Sequence, residues 1–182
     1  MRFSFGAAFL VAGVAGGYIT GMQALSRAGT MPAPDGSKWV QEVVNQKDPY
    51  NIYAIGHFKS EGQVPPPRSA QLFSRIVDED GKALRGDCSY QLSSAAFPAR
   101  WWAVNVIALG SSLPAVSSTA ADVVITGDER LDINLSRHVA TGNWLATPDA
   151  SALKVTLTLH EPYDKNKKGV LNLPTLSKVS CE

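Results

Sequence analysis

Charged residues are scarce in this chain of 182 residues, at 18% of the sequence against about a quarter in typical globular domains. The formal net charge is only +1, which gives no polybasic signal and excludes nucleic acid as an expected partner. The hydrophobic fraction of 45% is that of a folded protein rather than a disordered one. Composition therefore favours one globular domain with appendages.

The short motifs of common catalytic sites are also missing. The chain has no nucleophile elbow of the type G-x-S-x-G, no H-E-x-x-H, no Walker loop and no glycine-rich dinucleotide loop after a strand. His57, His138 and His160 are far apart in sequence, and chance placement explains them better than a metal triad does. The sequence predicts no catalytic residue, no metal and no cofactor.

No charged residue occurs from Phe3 to Ser26. As a helix rising about 1.5 Å per residue, this stretch reaches roughly 36 Å, which is enough to cross a bilayer core. We therefore expect a transmembrane anchor over residues 1–27 that contacts the membrane through residues 3–26. A cleaved signal peptide is the alternative, although Arg2 alone precedes the apolar run and no clean A-x-A site follows it.

Both interpretations of the N-terminal stretch export the rest of the chain. A tail too short to form a domain normally stays in the cytoplasm, so we expect a single-pass inner-membrane protein with its C-terminal domain in the periplasm. Gly13, Gly17 and Gly21 lie four residues apart on one helix face, where another helix can approach closely. The alternative is that glycine is simply common in membrane helices.

The two cysteines, Cys88 and Cys181, form an even pair in a domain that is expected to be exported. This favours a disulfide between the C-terminal tail and a strand, with two free thiols as the alternative.

The spacing of hydrophobic residues changes along the rest of the chain, from a helical pattern to a strand pattern. Residues 28–38 read as a linker, and short apolar stripes predict one helix over 39–45 and a second over 48–62. Beyond residue 70 the period becomes two, and Glu79-Asp80-Gly81 carries a hairpin turn signal. Strands are predicted at 72–78, 88–92, 101–109, 123–126, 131–136 and 153–160. With no helices between them, these strands favour a mainly β fold, an antiparallel sandwich over residues 39–182.

Two aromatic clusters are candidates for ligand binding. In the first, Arg100 stands beside Trp101 and Trp102, which suits an anionic group with an apolar portion. The second contains Asn143 and Trp144 in a predicted turn before the last strand. His160 would point from the polar face of that strand. The alternative for the tryptophans is core packing.

These clusters resemble the bacterial family called domain of unknown function 1214. The resemblance is carried by Pro98 to Trp102 and by Asn143-Trp144-Leu145 with Pro148. Residues 86–90 and the tail 174–181 are similar to short, membrane-anchored members, and the match extends over residues 39–182. The resemblance implies a jelly-roll-like β-sandwich in the bacterial envelope. It also implies a companion envelope protein with the domain of unknown function 1254, and it brings no established reaction.

The chain departs from the family pattern at two places. Ala108 and Leu109 stand where members often have an aromatic residue and an aspartate. Thr158-Leu159-His160 stands where members often have Arg-Leu-Tyr. If those positions line a site in the family, the site differs here.

Three functions remain after these observations. The leading hypothesis is a non-catalytic envelope module that binds a partner protein or a lipid or glycan ligand through the Arg100–Trp102 and Asn143–Trp144 surface. The second is an envelope hydrolase with His160 as base and Arg100 as anion holder. The third is a small structural subunit of a membrane complex.

Overall fold

The computed structural model describes residues 3–27, 30–42, 55–56, 69–95, 97, 99–110, 116–125, 130–162 and 172–182. The chain divides into two units. One contains residues 1–31 and 43–65, and the other contains residues 32–42 and 66–182.

The first unit contains helix α1 (Phe3–Arg27), which confirms that the uncharged N-terminal stretch is helical. Large apolar side chains, among them Phe9, Val14 and Ile19, are exposed on it. Apart from the nearby backbone of α1 itself, no described heavy atom lies within 4 Å of where a β-carbon would stand on Gly13, Gly17 or Gly21. Within the described residues, no helix is both long and apolar enough to cross a membrane.

Ten strands make up the described β-structure. They are β1 (Thr30–Pro32), β2 (Val40–Glu42), β3 (Ala70–Arg75), β4 (Cys88–Ala95), β5 (Ala99–Ala108), β6 (Val116–Thr119), β7 (Arg130–Ser136), β8 (Asn143–Ala146), β9 (Leu153–Pro162) and β10 (Thr175–Cys181). Six of them form a sheet in the order β1-β2-β3-β9-β5-β6, and four form a sheet in the order β10-β4-β7-β8. The prediction of a mainly β fold is confirmed.

Period-two alternation on strands from both sheets creates one core. On β9, Leu153, Val155, Leu157 and Leu159 are all buried. They belong to the same hydrophobic cluster as Ile133 and its neighbours from the four-stranded sheet. Burial of these side chains supplies the main stabilising term, at about 25 cal/mol per Å² of apolar area.

The alternation along β9 predicts that its opposite face is exposed to solvent, but part of that face is buried. Lys154 and Thr156 are buried there too. Lys154 Nζ lies 2.7 Å from Glu42 Oε1, and the two side chains are only 6% and 1% exposed. Removing one member of such a buried pair leaves the other charge uncompensated, which costs about 3–5 kcal/mol.

The turn predicted at residues 79–81 is confirmed. The buried carboxylate of Asp78 accepts hydrogen bonds from the backbone amides of Asp80 and Lys82, both at 2.9 Å. Gly81 has φ +81°, a left-handed conformation that glycine adopts without steric cost. A bridge between Val77 and Ala83 closes this turn, whereas the preceding strand ends earlier than predicted, at Arg75.

The disulfide between Cys88 and Cys181 is also confirmed. The two residues are direct cross-strand neighbours in the antiparallel pair of β4 and β10. The C-terminal tail is therefore a strand of the four-stranded sheet, which the sequence pattern did not predict.

Three predictions of local structure are wrong. Residues Val40–Glu42 are a strand rather than part of a helix, because they pair with β3. Residues Asn143–Ala146 are a strand parallel to β7 rather than a turn, so the four-stranded sheet is mixed rather than wholly antiparallel. The strand near residue 120 is Val116–Thr119, paired with β5, whereas residues 123–125 form none.

Two further predictions concern the linker over residues 28–38 and the second helix over residues 48–62. Strand β1 lies within the residues predicted to be a linker. Residues 55 and 56 are helical, and the rest of the predicted second helix lies outside the described residues.

Candidate functional site

A row of side chains lies at one end of the six-stranded sheet. Trp101 of β5 faces His160 of β9, and His160 faces Ala70 of β3. One residue further along, the Glu161 amide donates a 2.9 Å hydrogen bond to the carbonyl oxygen of Ser69. Three strands that are distant in sequence thus meet at this end.

Strand alternation separates the two adjacent tryptophans that the sequence singled out. Trp101 is 39% exposed, whereas Trp102 is 5% exposed and belongs to the hydrophobic core. The Trp102 ring meets Phe97 edge to face, with centroids 4.9 Å apart. The Trp101 ring meets His160 in the same way at 4.9 Å and 65°. Of the two, Trp101 is the one available to a ligand.

Arg100 and Glu161 form an ion pair beside these rings. Arg100 Nη1 donates to Glu161 Oε2 at 3.2 Å, with the side chains 75% and 60% exposed. Such an exposed pair contributes only about 0–1 kcal/mol to stability. Glu161 has φ +46°, a left-handed conformation that costs a residue with a β-carbon about 1–2 kcal/mol. Backbone strain of this kind is concentrated at functional sites.

These side chains surround a hollow, called the Arg100 hollow below. It has a volume of about 400 Å³ and is lined by Ser69, Arg100, Trp101, His160 and Glu161. The volume falls within the roughly 300–1,000 Å³ of small-molecule sites. The lining presents hydrogen-bond donors, a carboxylate acceptor and an aromatic surface. It can therefore hold a polar ligand that has one apolar face.

Asn143 and Trp144 lie on β8 of the other sheet and do not line this hollow. The Asn143 side-chain amide accepts from the Val124 amide at 2.7 Å and donates to the Val124 carbonyl at 2.8 Å. The Trp144 indole donates to the Ser136 carbonyl at 3.1 Å. These bonds fasten a loop and a strand, so the structure gives the pair a local structural role.

A second hollow of about 510 Å³ is lined by Arg85, Asp87, Asp149, Ala150 and Ser151. Arg85 is paired with Asp87 there, and its Nε lies 2.9 Å from Asp87 Oδ1. None of its described lining residues is aromatic. Substitutions at this hollow are therefore a matched control for those at the Arg100 hollow.

Two residues of the Arg100 hollow were missed by the sequence analysis, namely Ser69 and Glu161. Glu161 directly follows His160, and the antiparallel register of β5 and β9 brings it opposite Arg100. That register joins residues about sixty positions apart, which no local pattern reveals. Among the described residues, no group of three or more His, Cys, Asp or Glu side chains could hold a metal ion.

A family model matches the part of the chain that contains this end of the sheet. The profile of the family "Protein of unknown function (DUF1214)" matches residues 69–164, more than half of the chain. The chain belongs to the DUF1214 family. The matched region of this DUF1214 chain runs from Ser69 past Glu161 and so includes the Arg100 hollow.

One solved structure supports the fold of this DUF1214 protein. The crystal structure of the VPA0106 protein from Vibrio parahaemolyticus is similar with a TM-score of 0.58 at 15% identity. That match covers 92% of this chain, which spans only 44% of the Vibrio chain. An uncharacterized protein from Burkholderia cenocepacia matches at 14% identity and a TM-score of 0.45, over 62% of this chain and 29% of that one. No curated protein matches the chain.

Proposed function

We propose that this DUF1214 chain is a non-catalytic binding module of the bacterial envelope, whose ligand sits in the Arg100 hollow. The observation that carries the proposal is the convergence of Arg100, Trp101, His160 and Glu161 around one hollow at the end of a rigid sheet. Exposed aromatic and arginine side chains are the residue types most enriched at binding hot spots.

The cost of keeping these groups in place supports the same proposal. A solvent-exposed Trp101 forgoes the stabilisation that burial of its ring would give. The left-handed backbone at Glu161 adds strain at the same end of the sheet. Both features are unfavourable for folding and are explained by a role in recognition.

Binding to the full-length chain is tested by saturation-transfer NMR with lipid, glycan and peptide fractions of a bacterial envelope. We expect at least one fraction to give a signal that the double variant Arg100→Ala/Trp101→Ala loses. The exposed ion pair contributes little to stability, so the melting temperature of Arg100→Ala alone should fall by less than about 4 °C.

The matched control is Arg85→Ala/Asp149→Asn at the second hollow, which should keep the signal. A signal that persists in the Arg100→Ala/Trp101→Ala variant would contradict the proposal. Collapse of folding in that variant would instead make these side chains structural.

An envelope hydrolase is the second candidate. It is favoured by one observation, since the hollow gathers His160, Arg100 and a carboxylate. His160 would act as general base and Arg100 would hold an anionic group. If so, wild-type protein hydrolyses one of a set of p-nitrophenyl esters, phosphates and glycosides, and His160→Ala lowers the rate about hundredfold. No turnover of any of these by the wild-type chain would leave only the binding module.

For the surroundings of the module, we propose tethering through α1 to the inner membrane with the β-domain in the periplasm. The uncharged stretch from Phe3 to Ser26 and the exposed apolar side chains of α1 support this proposal. The family resemblance adds a jelly-roll-like sandwich and a companion protein with the domain of unknown function 1254. In that arrangement, the glycine face of α1 would contact a helix of a partner protein. Such a contact is expected of a small structural subunit of a membrane complex.

A further inference from the structure

We infer that the ligand of the Arg100 hollow is a neutral saccharide, bound with a sugar ring against Trp101 and its hydroxyls on the Arg100–Glu161 pair. This inference rests on the proposed binding function and specifies its ligand class. It is carried by the balance of charge between Arg100 and Glu161 and by the exposed indole of Trp101, all within the described lining.

The charge balance argues against an anionic ligand. Glu161 Oε2 lies 3.2 Å from Arg100 Nη1, so any phosphate or carboxylate that approached the guanidinium would meet the Glu161 carboxylate as well. Like charges at such distances repel, and here the repulsion offsets the attraction of Arg100.

The same pair suits a neutral ligand with adjacent hydroxyl groups. A hydroxyl both donates and accepts, so one hydroxyl of a vicinal diol donates to Glu161 while its neighbour accepts from Arg100. Hydrogen bonds to charged partners are about twice as strong as neutral ones, which compensates for the exposed position. The Ser69 turn adds backbone and hydroxyl groups at the edge of the same hollow.

The indole provides the apolar contact that a sugar ring needs. A pyranose presents C–H groups on its faces, and an aromatic face is negatively polarised, so the two attract. The edge-to-face contact with His160 fixes the orientation of the Trp101 ring and reduces the entropy lost on binding. An acyl chain would pack against the indole ring but would form no hydrogen bond with the adjacent Arg100–Glu161 pair.

Hydrolysis of such a saccharide would need a second carboxylate. Glycosidases use two carboxyl groups on either side of the scissile bond. Among the lining residues that the structure describes, Glu161 is the one carboxylate. The lining therefore suits recognition of the saccharide rather than its cleavage.

The test titrates the full-length chain, in a zwitterionic detergent without a sugar headgroup, with four probes. Cello-, malto- and chito-oligosaccharides represent neutral glycans, and a phosphorylated sugar represents anions. We expect a neutral oligosaccharide to bind and Trp101→Ala to weaken it by about tenfold or more, with Trp101→Phe retaining most of the affinity. Asp149→Asn at the second hollow is the control and should bind like the wild type.

Glu161→Gln separates the two ligand classes by the sign of its effect. For a neutral diol, loss of the charged acceptor weakens binding several-fold. For an anion, loss of the repelling carboxylate strengthens binding. Affinity for the neutral saccharide should also change little between about 50 and 500 mM salt, whereas anion binding falls steeply.

Binding of the phosphorylated sugar alone, strengthened by Glu161→Gln, would overturn the saccharide and leave the hollow as a ligand site. If a lipid or peptide fraction of the envelope binds at Trp101 while all four probes fail, the saccharide is likewise overturned and the binding function stands. If no probe and no envelope fraction depends on Trp101, both proposals fail.

Discussion

At the scale of single residues, Glu79 shows how a partly exposed charge is used structurally. Burial acts to raise the pKa of this carboxyl, but the hydrogen bonds from Arg75 and the Leu176 amide, with the charges of Arg75 and Lys38, outweigh it. The pKa is therefore held below its ordinary value of 4.5. Glu79 joins the buried Arg75 to the start of β10, since its Oε1 lies 2.7 Å from Arg75 Nη1 and 2.9 Å from the Leu176 nitrogen.

A depressed pKa makes the contribution of Glu79 depend on pH. The stabilisation is fully present above the unfolded-state value near 4.5 and is lost as the pH falls through the lower folded-state value. We expect the difference in unfolding free energy between wild type and Glu79→Gln to be constant from about pH 7 to pH 5 and to shrink below it. Because the side chain is 39% exposed, solvent screening limits the effect to about 1 kcal/mol.

Urea unfolding followed by circular dichroism at several pH values measures this difference. Asp80→Asn in the same turn is the control for removing one exposed negative charge. A gap between wild type and Glu79→Gln that widens toward acid would contradict the prediction.

From the sequence alone, single side chains could be proposed as site residues, whereas residues that come together only through strand register could not. Arg100 and His160 were identified from their types and their strand positions. The different fates of Trp101 and Trp102 follow from strand alternation, once the inward face is known. Glu161 could not be found, because its role depends on the pairing of β5 with β9 and on a left-handed backbone.

At the scale of elements, β10 depends on contacts made at its ends. Leu176 is its one buried side chain, and the strand ends at the disulfide between Cys181 and Cys88. The bond joins residues 93 positions apart. Such a long loop is costly to close without a covalent link.

Removal of the disulfide should therefore destabilise the domain and release β10 first. We expect Cys88→Ser/Cys181→Ser to lower the unfolding free energy by about 2–5 kcal/mol, together with faster amide exchange over residues 177–182. Urea unfolding and hydrogen exchange measure the two effects. Ser89→Ala on the same strand is the control. Unchanged exchange at the end of β10 would show that pairing with β4 is sufficient.

Elements with regular alternation were predicted well, as β4, β7 and β9 show. The failures have a shared physical cause. Val40–Glu42 is too short to display a period, and its strand conformation is imposed by pairing with β3. Strand β8 is fixed by the side-chain bonds of Asn143 and by its parallel neighbour β7. In both cases a tertiary partner overrides the local preference.

At the scale of the whole molecule, the chain combines a helix with exposed apolar side chains and a separately defined β-unit. The tether proposal predicts that the full-length chain stays in the membrane pellet after extraction at alkaline pH. A variant that lacks residues 1–27 should be released into the soluble fraction. Protease added to spheroplasts should reach residues 70–182. Protection of those residues until the cells are lysed would contradict export.

The irregular pairing of β10 with β4 has a consequence for how copies of this chain meet. Among the described strands, β10 lies at an edge of its sheet and has β4 as its one strand neighbour. The ladder shifts register between Lys178 and Ser180, and Lys178 adds a charge at that point. A β-bulge or a lysine on an edge strand makes it unfavourable for a strand of another chain to pair with that edge. We therefore expect β10 to oppose edge-to-edge pairing between two copies of this chain, and with it the growth of fibrils.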